Sequence, residues 1–198
     1  MRVFLLAVAL VLLIVFLFFV KLVHTVHAQE PQANVAEITV FGEIRDDMAI
    51  HAAGKLIAAC EEPGNGPILI VLNGPGGDID AGGMIIDAMQ HCTKHPVNTL
   101  CIGACQSMDA IIFEYGKTRT MWPRAFLMLH NGYLNASGSL PQVANQVKLW
   151  NSYIPVYEHE IAARAGMTYE QYRALANDQW YVRADDAVKA GLADAVQH

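Results

Sequence analysis

Hydrophobic and polar positions divide this chain into two unlike parts. From Val3 to Val20 no polar side chain interrupts 18 positions, which is about the lower limit for a helix crossing a bilayer. Beyond residue 35 short apolar runs alternate with stretches of helical period, separated by turn residues. Ala36 to Phe41 is β-rich, with Ile38 and Val40 on one face. Asp46 or Asp47 can cap a helix on which Ile50, Ala53, Ile57 and Cys60 recur at helical spacing. Pro63-Gly64-Asn65-Gly66-Pro67 is a strong turn. Ile68 to Leu72 is continuously apolar, as a strand covered on both faces of a parallel sheet should be. Asp80 is placed to cap a helix bearing Ile85, Ala88, Met89 and Cys92, ended by His95-Pro96, and Val97 to Ile102 is the next strand. This alternation predicts an α/β fold with parallel strands and right-handed crossovers.

The second half continues the pattern. Ser107 to Tyr115 reads as a helix, and Thr118 to Met121 and Phe126 to Leu129 as strands. Asn131 to Ser139 is a polar loop. Ser139-Leu140-Pro141-Gln142 then combines a capping serine, an early proline and a glutamine at the capping-box position. The helix it starts should run to Ala165, with Gly166 as its stop and a kink or break at Pro155. Val143, Val147, Trp150, Ile154 and Tyr157 form a stripe with more apolar surface than a lone solvated helix carries, so something is expected to pack on it. Thr168 to Gln171 is a second capping box.

The N-terminal run changes the expected organisation. Arg2 precedes it, Lys21 follows, and Val26-His27-Ala28 has the small residues of a signal-peptidase site. The run is longer than the 7–15 residues of an ordinary signal core, so residues 1–28 are expected to be a signal anchor or, failing that, a cleaved signal peptide. Residues 29–35 read as a linker and 36–198 as the working domain. Either reading places that domain outside the cytoplasm, membrane-anchored, periplasmic or secreted. Its charge is acidic: the chain carries −6, and without Arg2 and Lys21 the remainder carries −8. With no basic run or aromatic-basic stripe, nucleic acid is excluded as a partner. The four cysteines, Cys60, Cys92, Cys101 and Cys105, have no zinc spacing. Cys60 and Cys92 each end an expected helix, so a bridge between them is one reading; four small buried apolar residues is the other.

The chemistry centres on Val97 to Ala110, VNTLCIGACQSMDA. Its serine sits where a strand turns into a helix, and free N–H groups and the helix dipole favour negative charge there. A plain N-cap is the ordinary explanation of such a serine. Two other stretches raise the stakes: Asn73-Gly74-Pro75-Gly76-Gly77 after a buried strand, and Met128-Leu129-His130-Asn131 at the end of another. No Gly-Lys-Ser/Thr follows the glycines, so a phosphate loop does not fit.

Taken together, NGPGG, GACQSMDA and MLHN resemble the Clp protease proteolytic subunit, in that order and at similar spacing, across roughly Ile38 to Val196. The resemblance implies a fold of stacked parallel strands with flanking helices, shared with the crotonases. It implies Ser107 as nucleophile, His130 as base, and an oxyanion hole built from the Gly76-Gly77 strand end and the N–H of Met108, with Gly76 and Met108 as the donor pair. It implies no cofactor or metal, a peptide or unfolded polypeptide as substrate, and a homo-oligomer joined through the Val143–Tyr157 helix. The third member of the triad is ambiguous. Ungapped alignment of the tail Arg183-Ala184-Asp185-Asp186-Ala187 puts Gln179 at the aspartate position, whereas a one-residue bulge would bring Asp178 there; Asp178 is the expected acid, and Asn177 is weaker. Asp109 stands where the family has a small residue, and Cys105 and Gln106 where it has alanines. An inactive assembly module, a crotonase-like acyl-CoA enzyme and a Ser–Lys dyad using Lys117 or Lys148 are the competing readings.

Overall fold

A computed structural model of the chain describes residues 36–198. The elements are β1 (Ala36–Phe41), α1 (Asp46–Glu61), β2 (Ile68–Gly74), α2 (Ile79–His91), β3 (Val97–Gln106), α3 (Met108–Glu114), β4 (Arg119–Met121), β5 (Phe126–His130), α4 (Leu140–Arg164), α5 (Tyr169–Ala176), β6 (Gln179–Arg183), α6 (Ala184–Lys189) and β7 (Ala195–Val196). They form an α/β fold in which a parallel sheet is flanked by helices. The strands run β1-β2-β3-β4-β7, all parallel neighbours. At ten residues β3 is long enough to serve two partners: Thr99–Cys101 pair with β4, and Ala104–Gln106 pair with β5. β6 then adds antiparallel to β5, with Gln179 opposite His130.

Strands β2 and β3 are buried because helices cover the sheet, and Ile70, Leu72 and Cys101 are fully enclosed. Helix α1 faces that core with Ala49, Ala52, Ala53, Leu56 and Cys60. Ile50 and Ile57, expected on its buried face, are 61% and 56% exposed. The alanine row lets α1 lie close to its neighbours, and that closeness sets the helix's rotation more than the bulk of the isoleucines does. No side chain caps α1, and Asp46 and Asp47 occupy its first turn instead. Asp78, not Asp80, caps α2, its Oδ1 accepting from Asp80 N–H at 2.8 Å and Ala81 N–H at 3.0 Å. Both predicted capping boxes are present, at Ser139/Gln142 and Thr168/Gln171. Helix α4 runs unbroken through Pro155. The acceptor this proline leaves idle belongs to Asn151, which is exposed to water. Of the α4 stripe, Tyr157 is buried against the core while Val147 remains 38% exposed.

Two disulfides close the fold. Cys60–Cys92 joins the ends of α1 and α2, with Cα atoms 5.5 Å apart. Cys101–Cys105 is unexpected, since four positions along a regular strand span about 13 Å, yet these Cα atoms are 6.1 Å apart. The ladder explains it. Leu72 pairs with Cys101 and Gly74 with Cys105, so four steps of β3 are matched by two of β2. The excess is taken up in a bulge, which Asn73 holds by accepting the Ala104 N–H at 3.0 Å. The bulge swings the end of β3 toward β5, and the strand delivers Ser107 there.

No helix among the described residues is long and apolar enough to cross a membrane. The Val3–Val20 run, the expected cleavage site and the linker lie outside the described residues.

Candidate active site

Ser107 follows β3 and caps α3 with φ +52° and ψ −118°. Among the described residues no other non-glycine residue has a positive φ. Such backbone costs on the order of 1–3 kcal/mol and persists where its surroundings enforce it. Ser107 N–H donates to Met128 O at 2.7 Å, and Ser107 O accepts from Ile111 N–H at 3.0 Å. The turn is thus held by β5 on one side and by α3 on the other, and its hydroxyl is turned outward. Met128 belongs to the strand that ends in His130, so the same bond that fixes the serine sets its distance to the imidazole. Ser107 Oγ lies 2.8 Å from His130 Nε2. The next residue anchors the strand end: Asn131 N–H donates to Ala176 O at 3.0 Å, and Arg173 Nη1 donates to Asn131 Oδ1 at 2.7 Å and to Glu158 Oε1 at 2.9 Å.

The glycine loop reaches the serine from β2. A Cβ on Gly76 would stand 2.6 Å from the Ser107 Cβ and 2.9 Å from Met108 N; only glycine fits. Gly76 O accepts from Ile44 N–H at 2.8 Å, and Asp78 N–H donates to Ile44 O at 2.9 Å, which clamps both ends of the loop. Gly76 N–H donates to Asp109 Oδ2 at 2.7 Å. That bond corrects the expected donor pair, because a Gly76 N–H already given to a carboxylate is not free for an oxyanion. Gly77 N–H and Met108 N–H donate to no other described residue, and both residues line the cavity that holds Ser107 and His130. Met108 itself is buried, its thioether lying so close over Gly82 that any side chain there would collide with it.

The cavity has a volume of about 640 Å³. Its walls are apolar at Ile111, Met128, Trp150 and Ile154, and its floor includes Tyr157 and Glu158. The ring of Tyr133 rests 5.2 Å from that of His130. A hydroxyl, an imidazole at hydrogen-bond distance and two idle N–H groups in one cleft are the parts acyl transfer needs: nucleophile, base and anion donors.

The acid is the missing part. Asp178 is exposed and makes no hydrogen bond to His130 or to any other described residue. It lies just before β6, so the bulge that would bring it into register does not form. Gln179 takes the position opposite His130 and lines the cavity, but its Oε1 accepts from Tyr181 OH at 3.1 Å and does not engage the imidazole. Asn177 is tied to Asn131 instead. His130 Nδ1 has no hydrogen-bond partner among the described residues. Neither lysine of the alternative dyad is bonded to Ser107: Lys117 lines a separate cavity beside Cys92, and Lys148 is exposed on α4.

Asp109 is fully buried in the first turn of α3, and desolvation raises its carboxyl from 3.8 to about 7 although the Gly76 N–H pulls the other way. Its presence was readable in the sequence; its direction, toward the glycine loop, was not.

A strained serine turn between a parallel strand and a helix, with a histidine from the adjoining strand on its hydroxyl, is the arrangement that a serine hydrolase on an α/β sheet requires. The chain belongs to the Clp protease family, whose model matches residues 25–198. Among similar proteins are ATP-dependent Clp protease proteolytic subunit 3 of Synechococcus sp. (strain CC9902), 26% identical over 160 residues that cover 78% of each chain, and subunit 1 of Gloeobacter violaceus (strain ATCC 29082 / PCC 7421), 28% identical over 159 residues that cover 79% of this chain and 80% of that one.

Proposed function

We propose that this chain is a serine peptidase that works outside the cytoplasm on short or unfolded polypeptides, as a homo-oligomer and without ATP. The observation that carries the chemistry is the Ser107 Oγ to His130 Nε2 distance of 2.8 Å at a turn of positive φ. His130 takes the hydroxyl proton as Oγ attacks the peptide carbonyl. Gly77 N–H and Met108 N–H hold the tetrahedral oxygen. The imidazolium returns the proton to the leaving amine, and water then releases the acyl group from Ser107 by the same steps in reverse order. The apolar cavity walls suit an extended chain with an apolar side chain at the cleaved bond.

Location and assembly rest on separate features. The Val3–Val20 run supports a signal anchor or signal peptide, with 1–28, 29–35 and 36–198 as anchor, linker and peptidase domain. Two disulfides that engage all four cysteines support an oxidising compartment. The exposed apolar side chains of α4, Leu140, Val147, Leu149 and Val156, support assembly through that helix.

A second reading, an assembly or binding module without catalysis, is favoured by one observation: Gln179 stands where a carboxylate would orient His130. A fluorophosphonate probe separates the two. The expected result is stoichiometric labelling at Ser107 with peptide hydrolysis, both lost in Ser107→Ala, where turnover should fall by up to about 10⁶-fold with no change in the circular dichroism spectrum. Unlabelled, inactive wild-type protein would leave the module.

A further inference from the structure

Asp109 is the one feature near the serine that the peptidase chemistry does not explain. Gly74 leaves room for it, since a Cβ there would stand 2.6 Å from Asp109 Oδ2. The carboxylate takes the Gly76 N–H at 2.7 Å across 33 residues of sequence, and its other oxygen, Oδ1, is buried with no partner among the described residues. A buried carboxylate with one satisfied oxygen is expensive. What it secures is the orientation of one peptide plane. Gly76 has φ +91° and Gly77 φ +153°, conformations in which glycine peptides turn easily. Ile44 holds the loop through Gly76 O and Asp78 N–H but does not touch the Gly76 N–H.

We infer that Asp109 is the positioning residue of the oxyanion hole: by accepting the Gly76 N–H it locks the glycine loop so that the Gly77 N–H, beside that of Met108, faces the reacting carbonyl. The inference rests on the peptidase reading for its kinetic consequence but not for its structural one. The bond needs an acceptor rather than a charge. A carboxyl protonated on Oδ1 still accepts through Oδ2, and so does a carboxamide.

The test uses the full chain and three variants. Asp109→Ala and Asp109→Leu remove the acceptor, the second keeping the branched shape; Asp109→Asn retains it. Loss of oxyanion positioning should lower kcat for a chromogenic peptide by about 10- to 100-fold in the Ala and Leu variants, with KM within about threefold. The Asn variant should stay within about threefold of wild type. Hydrogen exchange of the segment 74–78 should quicken in Ala and Leu and remain slow in Asn. Unchanged kcat in both acceptor-free variants overturns the inference, as does an Asn variant as impaired as they are, or exchange that is the same in all four proteins. If the wild type neither turns over nor takes the fluorophosphonate, the peptidase reading falls and the exchange comparison alone decides the role of Asp109. If Asp109→Ala loses its folded spectrum, the difference between the Leu and Asn variants decides the question in its place.

Discussion

Ser107 is gripped from three directions, by β5 through its N–H, by α3 through its carbonyl and by the glycine loop lying against its Cβ. Across the cleft Gln179 is exposed and held at its side chain by one bond to Tyr181, and Asp178 by none. The nucleophile side sits in the middle of the sheet, where β3 branches and every neighbour constrains the backbone. The acid side sits on β6, the edge added antiparallel to β5. A base without its acid can still accept the serine proton, but nothing then fixes its tautomer or offsets its charge as the transition state forms. The contrast separates what brings Ser107 and His130 together, which this fold over-determines, from what would orient the His130 ring from its other nitrogen, which it leaves open.

The two sides can be pulled apart experimentally. The largest effect belongs to the nucleophile side and is one of stability. Folded Asp109 holds its proton up to about pH 7, whereas the unfolded chain releases it near 3.8. Between those values the native state binds more protons than the unfolded one, so stability is full below about pH 4 and falls as pH rises toward 7. The loss is on the order of 4 kcal/mol. Asp109→Asn should flatten this limb in urea melts from pH 4 to 8; parallel curves for the two proteins would show that Asp109 is not a buried ionising group.

On the acid side the effect is kinetic. Gln179→Asp sets a carboxylate opposite His130 and should raise kcat by about 10- to 100-fold with little change in KM, a fraction of the roughly 10⁴-fold that a triad aspartate supplies elsewhere. An unchanged or lower rate would mean that the β6 edge cannot present an acid to Nδ1. The smallest effect is expected at Asp178: Asp178→Asn should alter turnover by less than about twofold, as befits a solvated loop residue. A large loss there would restore Asp178 as the partner of His130 and place it, in the substrate-bound enzyme, where the free structure does not.

Much of the fold was legible from local rules. The apolar runs at Ile68–Leu72 and Val97–Ile102 are buried parallel strands, and the capping boxes at Ser139 and Thr168 start helices; the second strand does not stop at Ile102 but runs on through Gly103 and Ala104 to Gln106. Ser107 and His130 were readable because a motif fixes both and the distance between them follows from neighbouring strands. Local rules failed where two options differ only in what lies across space. Ile50 and Ile57 have the right period, but the tighter fit of alanines turned α1 away from them. Asp78 and Asp80 are equally plausible caps until the loop from Ile44 pins the first of them.

By itself the sequence determined the order of strands and helices, the turn that carries the serine, and the residue types available to the site, because periodicity, capping and glycine chemistry act within a few residues. Tertiary structure alone decided that β3 runs two residues long against β2, and so that Cys101 meets Cys105. It decided too that Gly76 gives its N–H to Asp109 while Gly77 keeps its own, and that Gln179 rather than Asp178 faces His130. Each of these is a matter of register between segments some 30 to 50 residues apart, where a shift of one position exchanges one side chain or N–H for the next; no local preference is strong enough to choose between neighbours, and the packed sheet is.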